Sequence, residues 1–246
     1  MGVLGAGGAA LILDGSDDDR PLRHHREDQL QETKYALSDF DSVSITGPQD
    51  VAIVYGELLA VSASGPADAL RQFEAVVEDG ALVIRPREGE AGDAWDDLDE
   101  VTFTVTMPAI SRVALTGSGE VGVDRVAGGS FDALVGGSGN LVIGSIEADA
   151  ATFTVEGSGD LDASGTVRQA TVSISGSGEV HATGLTAAAA EVNVGGSGEA
   201  ELTALEQATV LLSGSGDVDI FGPAACSVTR SGSGDVRCEG GGGDED

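Results

Sequence analysis

Gly-Ser-Gly followed by a polar residue recurs seven times in the second half of the chain, starting at Gly117, Gly137, Gly157, Gly176, Gly196, Gly214 and Gly232. The gaps are 20, 20, 19, 20, 18 and 18 residues. A coil this short cannot close a core alone, so a fixed period of this length restricts the chain to coils stacked on one another.

The residues flanking each turn follow the same rhythm. Counted from the first Gly, positions −4 and −2 read Val113/Leu115, Ala133/Val135, Phe153/Val155, Val172/Ile174, Val192/Val194, Val210/Leu212 and Val228/Arg230. Positions +4 and +6 read Val121/Val123, Leu141/Ile143, Leu161/Ala163, Val180/Ala182, Ala200/Leu202, Val218/Ile220 and Val236/Cys238. Alternation with period two means strands with one buried face. Each coil is read as strand, Gly-Ser-Gly corner, strand and a looser return, which often carries one more apolar residue, as at Val126, Ile146, Leu185 and Leu205. Glycine at the corner permits positive φ and removes a Cβ that would push coils apart. The intervening serines are placed to form a hydroxyl ladder. Parallel crossovers impose a right-handed coil.

The remaining composition bounds the function. The net charge is −30, from 42 acidic against 12 basic residues, which excludes nucleic acid and anionic lipid headgroups as partners. One tryptophan and two tyrosines leave a thin aliphatic core. Residues 2–13 are uncharged and apolar, too few to span a bilayer, and read as an export signal or its remnant. Membrane association is possible only through this leader. A charged linker with His24 and His25 follows. Cys226 and Cys238 both fall in the last coil and read equally as a staple against fraying or as two small buried hydrophobes. A zinc site lacks ligands, since His181 is the single histidine of the repeats.

The front half begins with the same grammar. Val43 and Ile45 precede Gly47-Pro48-Gln49-Asp50, and Val51 and Ile53 follow, as in a degenerate first coil. Residues 61–63 read as a strand, 66–72 as a helical turn, 73–77 and 81–85 as a hairpin, 88–100 as an acidic loop with Trp95, and 101–106 as a strand. This irregular part is placed to cap one end of the stack.

With these features in order, the chain resembles the putative auto-transporter adhesin, head GIN domain family of bacterial exported proteins. The matching residues are Phe40-Asp41-Ser42-Val43, Gly47-Pro48, Asp50-Val51, the run from Glu78 to Ile84, and the Gly-Ser-Gly ladder from Leu115 to Val236. The resemblance spans residues 38–238. It implies a β-solenoid in the periplasm, on the outer membrane or on the cell surface, with no catalytic residues to carry over.

Motifs with chemical potential resolve into structure. Gly117-Ser118-Gly119-Glu120-Val121-Gly122 matches G-x-G-x-x-G but leads into a strand, and Gly5 to Ala10 lies in the leader, so neither opens the helix that a dinucleotide site requires. No G-x-S-x-G elbow occurs, and His181 is read as an outward, solvated residue. Asp160 with Asp162, and Asp217 with Asp219, are outward strand pairs rather than glycosidase carboxylates. Residues 109–238 hold five arginines, no lysine and sixteen acids, and coils of uniform length offer no long loop to build a cleft. Glu120, Asn140, Asp160, Glu179, Glu199, Asp217 and Asp235 follow the seven corners and would stack as an acidic ladder. One carboxylate per coil supplies too few oxygens for a dedicated calcium site, so the ladder reads as a solvated edge.

The chain is therefore expected to be all-β, a right-handed parallel β-solenoid of coils of about 18–20 residues. Residues 1–37 are leader and linker, 38–238 one solenoid domain (38–108 first coil and cap, 109–238 seven repeats), and 239–246 an acidic tail. No catalytic, cofactor or metal residue is assigned. The functional expectation is a non-catalytic, exported, adhesin-like binding or scaffold protein, with a cell-surface glycan or protein as partner. The alternatives are a glycan-binding or glycan-processing β-helix and a calcium-stabilised solenoid.

Overall fold

The computed structural model describes residues 30–87 and 95–240. The apolar leader, His24-His25, residues 88–94 of the acidic loop and residues 241–246 of the tail lie outside the described residues. The chain enters as β1 (Gln31–Tyr35) and forms β2 (Ser42–Ile45) and β3 (Asp50–Tyr55) around the degenerate corner at Gly47. An excursion follows: β4 (Ala60–Gly65), the short helix α1 (Ala67–Leu70), the hairpin of β5 (Phe73–Glu78) and β6 (Ala81–Pro86), a 3-10 helix (Trp95–Glu100) and β7 (Thr102–Met107). The repeats comprise β8 (Arg112–Leu115), β9 (Glu120–Val123), β10 (Val126–Val135), β11 (Asn140–Val155), β12 (Asp160–Gly176), β13 (Glu179–Gly196), β14 (Glu199–Gly214), β15 (Asp217–Phe221), β16 (Ala225–Gly232) and β17 (Val236–Cys238).

The coils stack in parallel and in register. Before the corner, Val43, Val113, Ala133, Phe153, Val172, Val192, Val210 and Val228 are successive partners. After it, Val51, Val121, Leu141, Leu161, Val180, Ala200, Val218 and Val236 are. The fold is a β-solenoid, as the period required.

The return is not loose. It forms a third strand face, along which Ala148, Val167, Ala187 and Ala204 are successive partners. Backbone N–H and C=O groups must be paired wherever they are shielded, and stacking on identical coils pairs them whatever the side chains are. Alanine and glycine in this stretch hide its period-two pattern. The inward positions of all three faces merge into one apolar cluster. Within it, Phe131 pairs with Ala151 while Ala133 pairs with Phe153. The ring moves two residues along the coil and the cavity it leaves is refilled, which conserves core volume.

The corners show why glycine recurs. A Cβ on Gly137 would overlap the carbonyl of Gly117, and the same holds for each first Gly against the coil before it. Those carbonyls accept the backbone N–H of the next corner serine, for example Ser197 N–H to Gly176 O at 2.9 Å and Ser215 N–H to Gly196 O at 2.8 Å. The corner ladder is thus built by the backbone, not by the expected serine hydroxyls. Positive φ is used only at the later corners, Gly176, Gly196, Gly214 and Gly232, and at Gly47.

The two ends differ. At the front, β6 extends the first face beyond β2 and the antiparallel β5 follows it. On the second face β7 extends beyond β3, and β4 and β1 add in antiparallel. Phe73 and Tyr35 pack on Phe103 with ring centroids 5.7 and 6.0 Å away. At the other end β16 and β17 have a strand neighbour on one side only among the described residues. Cys226 and Cys238 are joined by a disulfide there, so the staple reading holds. Arg230 takes the inward −2 position, is exposed, and bonds the Gly234 carbonyl. Glu239, read as tail, still donates its N–H to Ile220 O at 3.0 Å.

Candidate functional site

Two outward rows run along the second face. Asp160, Glu179, Glu199 and Asp217 are successive partners, as are Asp162, His181, Glu201, Asp219 and Arg237. The first row is the ladder legible in the sequence. Part of it has a backbone role. Asp50 Oδ1 accepts Glu120 N–H at 3.0 Å, and Asp217 Oδ1 accepts Asp235 N–H at 2.9 Å, so the acid after the corner caps the coil stacked on it.

The second row went unread in the sequence, because its residues vary in type from coil to coil. It carries His181, which is outward as expected but held on both sides. Its Nε2 lies 3.0 Å from Glu179 Oε2 and its Nδ1 lies 3.3 Å from Glu201 Oε2. Partial burial disfavours the imidazolium, but Glu201, Asp162 and Glu179 outweigh it and raise the His181 pKa above its ordinary value. The carboxylates of Glu199, Glu201 and Asp219 come within 4.8 Å of one another. Desolvation, then Glu201, Glu179, Asp219 and Asp217, raise the Glu199 pKa. These three carboxylates are where a cation could sit, and they cross the two rows rather than following the ladder.

The third face carries an open groove of about 770 Å³. Uniform coils gave no reason to expect a cleft, since no long loop is present. The groove forms instead from irregularities of one to three residues in the stacking. The register shifts between Ile143 and Ile146, between Asp162 and Gly165, and between Ala182 and Thr186. A further shift sets Ala188 opposite Leu205 and Glu206. Such bulges re-aim side chains. Leu205, read with Val126, Ile146 and Leu185 as the apolar residue of its return, is unlike them 46% exposed and lines the groove, while Ala204 fills the core position in register with Ala187. Asp149, Thr166, Arg168, Thr186 and Ala188 line it as well. Arg168 Nη2 lies 2.8 Å from Asp149 Oδ1, and Arg125 Nη2 lies 3.5 Å from Glu147 Oε2. A smaller concavity of about 270 Å³ lies on the first face around Ser173, Asn193 and Leu211.

A stack of parallel coils with glycine corners, a β-hairpin cap and a groove on its third face defines a β-solenoid. Residues 39–224 match the model of the putative auto-transporter adhesin, head GIN domain family, and the chain belongs to that family. The fold recurs in solved structures. One is described as a putative adhesin from Bacteroides fragilis NCTC 9343, with a TM-score of 0.80 at 20% identity over 85% of this chain and 97% of that one. Another is a putative adhesin from Parabacteroides merdae ATCC 43184, with a TM-score of 0.69 at 18% identity over 86% and 97%. A third is described as a putative lipid binding protein from Parabacteroides distasonis ATCC 8503, with a TM-score of 0.65 at 20% identity over 86% and 97%. No protein of curated function matches the chain.

Proposed function

We propose that the chain is a non-catalytic binding module of the bacterial envelope, exported and exposed at the periplasm, outer membrane or cell surface, and that it engages its ligand through the groove of the third face. The observation that carries this reading is the groove itself, a concavity of about 770 Å³ that runs across the coils of the third face. That volume is in the range of ligand sites. Membership of an adhesin-named family supports a surface role. The Cys226–Cys238 disulfide supports an oxidising compartment outside the cytosol.

The test is adhesion of beads coated with the purified chain to intact bacterial cells and to cultured epithelial cells. Ala188→Trp fills the groove from a half-buried, outward position. It is expected to lower bead retention about tenfold at an unchanged melting temperature. Retention equal to that of the unsubstituted chain would refute the groove as the binding surface.

A further inference from the structure

We infer that the groove takes an extended, uncharged glycan chain. This rests on the groove being the binding surface, and it adds the chemistry of the occupant. The first argument is charge. The chain carries −30, yet the groove is locally balanced, because Glu147 pairs with Arg125 and Asp149 with Arg168. Of the five arginines of residues 109–238, Arg168 lines the groove and Arg125 reaches its Glu147 from beside it. An anionic ligand would meet the field of the whole molecule. A cationic one would find the local carboxylates already engaged, and would be held better on the second face. A neutral ligand is the one that gains here.

The second argument is the kind of contact on offer. The Arg168–Asp149 pair sets a fork of donors beside a carboxylate acceptor, the arrangement that suits adjacent hydroxyls of a sugar ring. Thr166 and Thr186 are partners in register and add hydroxyls that both donate and accept. Leu205, exposed at the groove, supplies an apolar surface for the C–H face of a ring. The third argument is shape. The lining runs from Gly128 to Leu205 through five successive coils. Four steps of about 4.8 Å make roughly 19 Å, longer than a single sugar. A peptide adding as a strand is disfavoured, because the third-face strands from β11 to β13 are already paired on both sides.

The experiment is titration calorimetry of the full chain with maltohexaose, cellohexaose and mannohexaose. Glucose, hexalysine and phosphatidylcholine vesicles serve as comparisons. At least one hexaose is expected to bind, at least tenfold tighter than glucose, with affinity unchanged by salt. Arg168→Ala should weaken it about tenfold or more, and Leu205→Ser several-fold. Arg168 is well exposed, so its variant should melt as the parent does. The inference is overturned if no hexaose binds up to about 10 mM, if only hexalysine or the vesicles bind, or if Arg168→Ala binds a hexaose unchanged. Should Ala188→Trp abolish bead retention while no hexaose binds, the glycan falls and the groove stands.

Discussion

The two ends of the solenoid solve the same problem with opposite means. A stack of parallel strands must stop somewhere, and each stop leaves unpaired backbone and an uncovered core. The front end spends some fifty residues on it, with antiparallel strands, an aromatic cluster around Phe103 and fully buried residues such as Leu82 and Ile84. Arg85 bonds both Glu74 and Glu78 there and Arg87 lies 3.6 Å from Glu74, so two cations face two carboxylates. The far end has one disulfide and an arginine turned out of an inward position. Its neighbouring coils crowd Glu199, Glu201 and Asp219 together. The contrast teaches that the front is a folded cap and the far end a tether.

The largest effect should come from the cap. Phe103→Ala, at a fully buried position, is expected to cost about 3–5 kcal/mol in urea melts, whereas Val228→Ala in the half-buried last coil should cost about 1 kcal/mol or less. Equal costs would erase the distinction between the ends. Next in size is the tether. Reduction, or Cys226→Ala with Cys238→Ala, opens a loop with a sequence separation of 12 and should remove about 2–3 kcal/mol. Hydrogen exchange should then speed up in β15 to β17 and stay slow in β6 and β7. Uniform acceleration along the rod would show that the staple holds the whole stack.

A smaller effect concerns pH. His181 and Glu199 both have folded pKa values raised above their ordinary ones. A raised folded pKa gives stability that is complete below the unfolded value and is lost as pH rises through the folded one. The melting temperature should therefore fall as pH rises from the ordinary histidine pKa to above its raised folded value. That component should vanish in His181→Ala. The Glu199 component lies lower, above the ordinary glutamate range, and has the same sign. A melting temperature that rises with pH through the histidine window would contradict the crowding of acids near the far end. The smallest difference is expected between calcium and sodium at matched ionic strength, which should stabilise alike by screening. A saturable, calcium-specific rise that is lost in Glu199→Gln with Asp219→Asn would turn the crowded acids into a cation site.

The coil, its corner and two of its three faces were legible, because Val, Ile and Leu alternate there against a fixed glycine. The third face was not, since Ala187 to Ala190 and Gly165 carry no period that a reader could separate from a loop. The groove was hidden for a related reason. It depends on register shifts of one to three residues, and those change which way Leu205 points without changing the composition. His181 was placed correctly as outward, but its partners Glu179 and Glu201 lie two residues back on its own strand and across the next coil. That second relation follows from register and not from spacing along the chain. At the corners, clash between backbones explains all seven copies, while positive φ explains only the later ones.

The disulfide has a mechanical meaning. Tension applied through the C-terminal side first meets the bond from Glu239 N–H to Ile220 O, and beyond it crosses from Cys238 by the covalent bond to Cys226, so residues 227–237 are bypassed. Past the disulfide the load reaches the strand at Ala208, the partner of Cys226. That strand lies inside the stack and pairs on its other side with Ala190. A pull therefore bypasses the thinly covered last corner and is delivered to hydrogen bonds flanked by coils on both sides. For a rod held by one end, the weakest coil is taken out of the path of the force.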